Sequence, residues 1–232
     1  MNTIDRFING EIVLLDNVLP NALFYQIKEH VEGINWGYSQ NTVVNSSPEN
    51  KLNIEECSAY ESMYMPNPIF KDSSSFYQIF FDQYLEGENR MYPKQFALLQ
   101  SAMLIAFEEL ELQVKQLIRI RCGMILNENQ HFYHYPHVDF PYNHFTALFY
   151  LTSCQAPTKI FNESYDPSYS NSNDPYFSYR FIKEKLNNKL TTHCEIDSVE
   201  NRIVIFNGNR FHSSSVPVDS KNRIVINYNF TV

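Results

Sequence analysis

A His-x-Asp pair near the middle of the chain has the residue types and the spacing of a metal-binding pair. On an extended strand, side chains two positions apart project from the same face, so His137 and Asp139 could share one metal ion. His134 falls on the opposite face by the same alternation, and Pro136 interrupts the strand between the pair and His131. We therefore interpret His131 and His134 as surface or structural residues. A lone His-x-Asp pair also arises by chance as a hydrogen-bonded surface pair, so it needs support from elsewhere in the sequence.

A further histidine in the C-terminal part provides that support. The apolar run 203–206 ends in a glycine-containing turn, after which the chain presents His212. Residues of turn type follow, among them Pro217 and 219–222, and Arg223 then opens another strand-like run. This pattern predicts that His212 and Arg223 lie near each other on two strands joined by a short connection.

Two histidines and one carboxylate form the facial triad that holds iron in non-haem Fe(II) oxygenases. The triad leaves coordination positions open, of which a bidentate 2-oxo acid can take two and dioxygen a third. A fixed positive charge is then needed to bind the far carboxylate of that acid. Arg223 suits this role, because its planar guanidinium matches a carboxylate in two hydrogen bonds and stays charged.

The pair, the distal histidine and the trailing arginine together resemble the 2-oxoglutarate- and Fe(II)-dependent dioxygenases, especially their prolyl-hydroxylase-like branch. Other segments are similar to that family as well. These are the opening run 13–20 with the helix after it, the long helix from Pro93 that leads into the strand at Ile118, and the run 147–151. The resemblance covers most of the chain and is strongest over 95–232.

The resemblance implies a mostly β protein, a double-stranded β-helix (jelly-roll) with flanking helices. It implies that Fe(II) is bound by His137, Asp139 and His212, and that Arg223 holds the 5-carboxylate of 2-oxoglutarate. Tyr150 matches a tyrosine that assists the same carboxylate, and Asn227, on the strand face of Arg223, could line the pocket. The implied reaction is hydroxylation, or a related oxidation, of an unactivated C–H bond, with consumption of O2 and release of succinate and CO2.

Two departures from the family pattern lie at the expected mouth of the pocket. The segment 156–161 lacks the double glycine that is common there, and the Ser-, Asn- and Tyr-rich stretch 164–179 replaces a shorter link. We interpret 164–179 as a long loop, either a lid or a tolerated insertion. A peptidyl proline, a free amino acid and a small metabolite therefore all remain open as substrates.

Periodicity predicts the elements that must position these residues. We expect a strand over 12–15 and helices over 23–31, 75–85 and from Pro93 onward, with loops and short strands over 36–68. From Leu117 the apolar period changes to two, which places Arg119 and Arg121 on one face and Ile118 and Ile120 on the other. Further strand-like runs are 131–140, 145–152, 159–162, 193–196, 201–206 and 223–230. We expect one domain over 1–232, with support elements in 1–116 and the jelly-roll core in about 117–232.

Composition limits the alternatives. The 232 residues include 18 basic and 26 acidic side chains, a net charge of −8 that argues against strong nucleic-acid binding. There is no signal-peptide pattern or membrane-spanning run, and the four cysteines lack CxxC spacing, so we expect reduced thiols in a cytoplasmic protein. Two other functions stay open: a metal-binding jelly-roll protein without turnover, and an oxidative nucleic-acid demethylase. The oligomeric state is not indicated.

Overall fold

The computed structural model describes residues 10–39, 42–43, 70–85, 93–169 and 176–232. These residues form three α-helices: α1 (Asn21–Glu32), α2 (Pro93–Glu109) and α3 (Phe177–Glu184). The first five strands are β1 (Val13–Asp16), β2 (Gly37–Ser39), β3 (Ser75–Asp82), β4 (Gln116–Leu126) and β5 (Phe145–Tyr150). The other five are β6 (Cys154–Ser164), β7 (Thr192–Ser198), β8 (Arg202–Asn207), β9 (Arg210–Ser213) and β10 (Asn222–Thr231).

Two antiparallel sheets face each other. The larger has the strand order β1-β8-β5-β10-β4-β3-β2, and the smaller has the order β7-β6-β9. The segment before β5 extends the smaller sheet, because isolated bridges pair Tyr133 with Ser215 and His137 with His212. Aliphatic and aromatic side chains of both sheets, including Tyr150, Ile160 and Phe206, pack between them. This is the mostly β architecture, a jelly-roll with flanking helices, that the resemblance implies.

Strand β10 divides the protein into a helix side and a barrel side. Its alternate residues Ile224, Ile226, Tyr228 and Phe230 are buried against the core that α1 and α2 cover. The hydroxyl of Tyr228 donates a hydrogen bond of 3.0 Å to the Leu99 carbonyl oxygen of α2. Because side chains alternate along a strand, the intervening polar residues of β10 face the space between the sheets.

Three predictions about local structure are wrong. Residues 75–85 were expected as a helix, but 75–82 form strand β3, because this aromatic-rich segment can pair with the edge of β4. Residues 131–140 form isolated bridges in place of a continuous strand, with Pro136 unable to donate to a ladder. The segment 164–179 holds a 3-10 turn at Pro167–Tyr169 and the start of α3, while 170–175 lie outside the described residues.

Other expectations fall partly outside the described residues. Most of the predicted loop region 36–68, and Cys57 within it, belong to that part of the chain. The three described cysteines, Cys122, Cys154 and Cys194, are free thiols. Among the described helices, none combines the length and hydrophobicity that crossing a bilayer requires.

Candidate metal centre

The two histidines of the predicted triad are held side by side by the backbone. His137 and His212 exchange two backbone hydrogen bonds of 3.0 Å, which join the segment before β5 to strand β9. Their ring centroids are 4.6 Å apart. Asp139 completes the group: one ligand atom from each of the three residues lies within 4.8 Å of the others. Such spacing allows one cation to touch all three side chains.

The hydrogen bonds of both rings select the tautomer that a metal needs. The Nδ1 of His137 lies 3.0 Å from the Tyr135 carbonyl oxygen, and the Nδ1 of His212 lies 3.3 Å from that of Arg210. Because a carbonyl oxygen only accepts, Nδ1 carries the proton and Nε2 is left as the metal-binding atom. Burial lowers the pKa of His137 to about 4, so this ring is neutral at pH 7.

Asp139 is surrounded by hydrogen-bond donors. Arg119 donates to Oδ1 at 3.0 Å, and the amides of Asn227 and Asn229 donate to Oδ2 at 3.1 and 2.9 Å. The Thr146 hydroxyl also donates, at 3.3 Å. Burial alone would raise the pKa of Asp139, but the Arg119 guanidinium and the nearby imidazoles hold it well below its usual range. The carboxylate is therefore ionised and fixed in orientation before any metal binds.

Arg223 is buried between the sheets, with 4% of its surface exposed. Its Nε donates to the Ala156 carbonyl oxygen at 2.9 Å and one terminal nitrogen donates to the Thr158 hydroxyl at 2.7 Å. Within the described part of the chain, no carboxylate forms an ion pair with it. A buried cation without a counter-ion is unfavourable, so this guanidinium is prepared for an anionic ligand.

Tyr150 and Arg223 both form hydrogen bonds with the hydroxyl of Thr158. The Tyr150 hydroxyl lies 2.7 Å from the Thr158 hydroxyl, and the guanidinium carbon lies 5.4 Å from the tyrosine ring centroid. Tyr150 is fully buried and is absent from the cavity lining, whereas Thr158 lines the cavity. The tyrosine thus supports the arginine from behind, and Thr158 is a cavity residue that the sequence analysis missed.

A cavity of about 100 Å³ joins these groups. His137, Asp139 and His212 line it, and so do Arg223 and Thr158. Asn227 lines it too, while its amide nitrogen contacts Asp139. The structure therefore brings the three predicted ligands, the predicted arginine and Asn227 to one cavity.

Three polar residues around Asp139 were not predicted from the sequence: Arg119, Thr146 and Asn229. Arg119 lies directly opposite Asn229 in the register of β4 and β10, and Thr146 lies opposite Asn229 on β5. The alternation along β4 did place Arg119 on the face opposite that of Ile118 and Ile120. The alternation could not predict which carboxylate Arg119 contacts, because that depends on the pairing of strands that are distant in the sequence.

The other histidines of the central segment lie away from the triad. His134 is fully buried between the hydroxyls of Ser73 and Ser214, each 2.8 Å from a ring nitrogen, which agrees with a structural role. Burial lowers its pKa to about 3. His131 is exposed and packs edge-on against Tyr133. His144, which the sequence analysis did not consider, is buried with its ring against Gly208, and burial lowers its pKa to about 4.

Comparison with solved structures identifies the class of fold. The chain is similar to a prolyl-4-hydroxylase from Pseudomonas putida, at 9% identity and a TM-score of 0.51 over 99% of this chain and 97% of that one. The epimerase SnoN from nogalamycin biosynthesis, solved with Fe3+, alpha ketoglutarate and nogalamycin RO, matches at 10% identity and a TM-score of 0.55 over 99% and 82%. HygX from Streptomyces hygroscopicus, solved with nickel and 2-oxoglutarate, matches at 8% identity and a TM-score of 0.54. The match covers 98% of this chain and 85% of HygX.

The protein has the jelly-roll fold of 2-oxoglutarate/Fe(II) oxygenases, which confirms the fold implied by the resemblance. Its His-x-Asp and distal histidine fit the metal site of that class, and two of the compared structures contain 2-oxoglutarate together with a metal. No family model matches the sequence, and no curated protein matches it.

Proposed function

We propose that this protein is a 2-oxoglutarate- and Fe(II)-dependent dioxygenase that hydroxylates a C–H bond of a small molecule or a peptide. One observation carries the proposal: the candidate metal triad and the buried guanidinium of Arg223, which forms no ion pair with the described residues, line the same cavity. A purely structural metal site fills its coordination sphere with protein ligands and has no use for a carboxylate anchor. The combination is therefore specific to a site that holds both a metal and an organic acid.

Each residue has a defined part in this proposal. His137, Asp139 and His212 bind Fe(II), and Arg223 with Thr158 binds the far carboxylate of 2-oxoglutarate. Tyr150 supports Thr158, and Asn227 orients Asp139. Iron, dioxygen and 2-oxoglutarate supply the oxidising chemistry when they are bound, with release of succinate and CO2. The chain binds and orients these groups and keeps bulk water away from them.

The triad is ready for metal binding near neutral pH. Asp139 is ionised and the His137 ring is neutral, so neither has to release a proton when a cation binds. No general acid or base is needed among the protein side chains. We propose that the described strands and helices belong to one domain, since strands from both halves of the chain form the larger sheet.

The test is an anaerobic titration of the metal-free protein with Fe(II) and 2-oxoglutarate. We expect the weak visible charge-transfer band of an iron–oxo-acid chelate, and its appearance should require both additions. His137→Ala should abolish the band, and Arg223→Met should raise the concentration of 2-oxoglutarate that it requires. Arg202→Met is the matched control, because its guanidinium pairs with Asp16 outside the cavity.

Two outcomes would contradict the proposal. Fe(II) binding without a band at any 2-oxoglutarate concentration would favour a metal-binding jelly-roll protein without turnover. Salt-dependent binding to DNA or RNA, with succinate release that depends on the nucleic acid, would favour the demethylase alternative.

A further inference from the structure

A second arginine faces the cavity and has no assigned partner. Arg121 lies on β4 directly opposite Asn227 of β10, and both line the cavity together with the triad. Its guanidinium carbon lies 5.2 Å from the centroid of the Tyr77 ring, and the structure records no hydrogen bond to it from the described residues. Burial, and then the neighbouring Arg119, lower the pKa of Arg121 to about 10, so it is still charged at pH 7.

The charges that the described residues place inside the barrel do not balance without a further anion. Asp139 pairs with Arg119. In the proposed function, the divalent metal and the doubly charged 2-oxoglutarate cancel each other. Arg121 and Arg223 then leave two positive charges in a largely desolvated space. Such an excess favours a substrate that is itself negatively charged.

Two buried polar atoms of residues that line the same cavity as Arg121 also lack partners among the described residues. Ser75, which is 3% exposed, lines the cavity, and its hydroxyl oxygen has no hydrogen-bond partner among the described residues. The same is true of the Asn227 side-chain oxygen. The orientation of the Asn227 amide is fixed, because its nitrogen donates to Asp139, which can only accept. Its oxygen therefore faces away from that carboxylate as an acceptor awaiting a donor.

Gly123 leaves room for a ligand next to these groups. It lies opposite Tyr77 in the register of β3 and β4, and it lines the cavity two residues after Arg121. A Cβ atom at this position would meet no atom within 4 Å. Every other residue type would extend a side chain into this space. The missing side chain thus keeps open the part of the cavity that Arg121 borders.

We propose that Arg121, Ser75 and Asn227 form a subsite for the primary substrate, and that this substrate is a small organic acid. Arg121 binds its carboxylate, while Asn227 accepts a hydrogen bond from an N–H or O–H group close to that carboxylate. The inference rests on the proposed function for the position of the reacting carbon beside the metal. The anion subsite itself is a property of this chain's side chains.

The test measures binding to protein loaded with Zn²⁺, which does not support turnover, and saturating 2-oxoglutarate. Calorimetric titrations use a panel of α-amino acids, 2-hydroxy acids and dicarboxylic acids, each with its methyl ester, and inorganic phosphate. We expect at least one acid to bind about tenfold or more tightly than its ester. Arg121→Met should abolish this preference, Arg121→Lys should retain part of it, and Arg202→Met should keep it.

Several results would overturn the subsite. These are an ester that binds as well as its acid, a panel in which no acid binds, and phosphate binding tighter than every carboxylate. An Arg121→Met protein that needs more 2-oxoglutarate to form the Fe(II) charge-transfer band would assign Arg121 to the co-substrate instead. Failure of the proposed function looks different, because the wild-type protein itself would then form no band. Acid binding that depends on Arg121 can be measured in either case.

Discussion

Arg119 and Asp139 form an ion pair of 3.0 Å inside the barrel, between strand β4 and the segment that precedes β5. Arg119 is also held by the Asn229 side-chain oxygen at 3.2 Å and by the face of the Phe140 ring. Because the guanidinium binds Oδ1, the other oxygen of Asp139 is directed toward His212, whose Nε2 lies 3.9 Å from it. The arginine thus positions the carboxylate of the candidate metal site.

The first prediction concerns this positioning. Arg119→Gln should weaken Fe(II) or Zn²⁺ binding by about tenfold or more, because the carboxylate loses the contact that fixes its orientation. Arg119→Lys retains the charge and should retain part of the affinity. Competition with a chromogenic chelator measures both. Tighter metal binding in Arg119→Gln would mean that repulsion between the guanidinium and the cation outweighs the positioning effect.

The second prediction concerns the carboxylate anchor. Thr158→Val removes the hydroxyl that accepts from Arg223 and contacts Tyr150, with little change in side-chain volume. We expect the 2-oxoglutarate concentration at half-saturation of the charge-transfer band to rise about tenfold, with metal affinity unchanged. Thr192→Val, on an exposed position of β7, is the control. An unchanged requirement for 2-oxoglutarate would remove Thr158 from the anchor.

The third prediction concerns acid stability. His134 has a pKa of about 3 in the folded protein, whereas an unfolded histidine has a pKa of about 6.5. As the pH falls through this interval, the unfolded chain binds a proton that the folded chain excludes, so the free energy of unfolding decreases by about 1.4 kcal/mol per pH unit for this group. Above pH 6.5 the group contributes no pH dependence, since both states are neutral.

Urea unfolding between pH 7.5 and 4.5 checks this expectation. His134→Gln should decrease the slope of the unfolding free energy against pH by about 1.4 kcal/mol per pH unit, which corresponds to one proton. The slope should not vanish, because burial also lowers the pKa values of His137 and His144 to about 4. His193→Gln, an exposed histidine on β7, controls for the loss of a surface side chain. Equal slopes in wild type and His134→Gln would contradict a neutral buried His134.

The fourth prediction concerns the turn between β8 and β9. A methyl group added at Gly208 would overlap the His144 ring, which is buried and held by a hydrogen bond of 2.8 Å from Nδ1 to the Tyr142 carbonyl oxygen. Gly208→Ala should therefore lower the unfolding free energy by about 1–3 kcal/mol. Gly123→Ala is the matched control, since its added methyl enters open space. Thermal or urea unfolding of the two variants should differ clearly, and equal stability would show that His144 can move aside.

The sequence predicts the parts of the site that depend on local spacing. His137 and Asp139 lie two residues apart and reach the same candidate metal site, and the alternation of β10 places Arg223 and Asn227 on one side of the sheet. The long helix α2 was predicted for the same reason, since its apolar stripe repeats at helical spacing. These features need no knowledge of which strands pair.

What the sequence did not predict depends on pairing across the sheets. Arg119 meets Asp139, and Arg121 meets Asn227, because β4 and β10 are neighbours in one register. Strand β3 was mistaken for a helix because its apolar residues also fit a helical period, and pairing with the edge of β4 decides the matter. The contact of His144 with Gly208 likewise joins residues that no local pattern connects.

The place of β10 in the larger sheet has a consequence for how the chain folds during synthesis. β10 follows the nine other described strands in the sequence, yet it lies between β5 and β4 and joins the two halves of that sheet. Domains generally fold as units. A nascent chain whose β10 is still inside the ribosome cannot yet join the two halves of the larger sheet. Arg223 and Asn227 both belong to β10, so the larger sheet and the cavity are completed by the same strand, the last of the described strands to be synthesised.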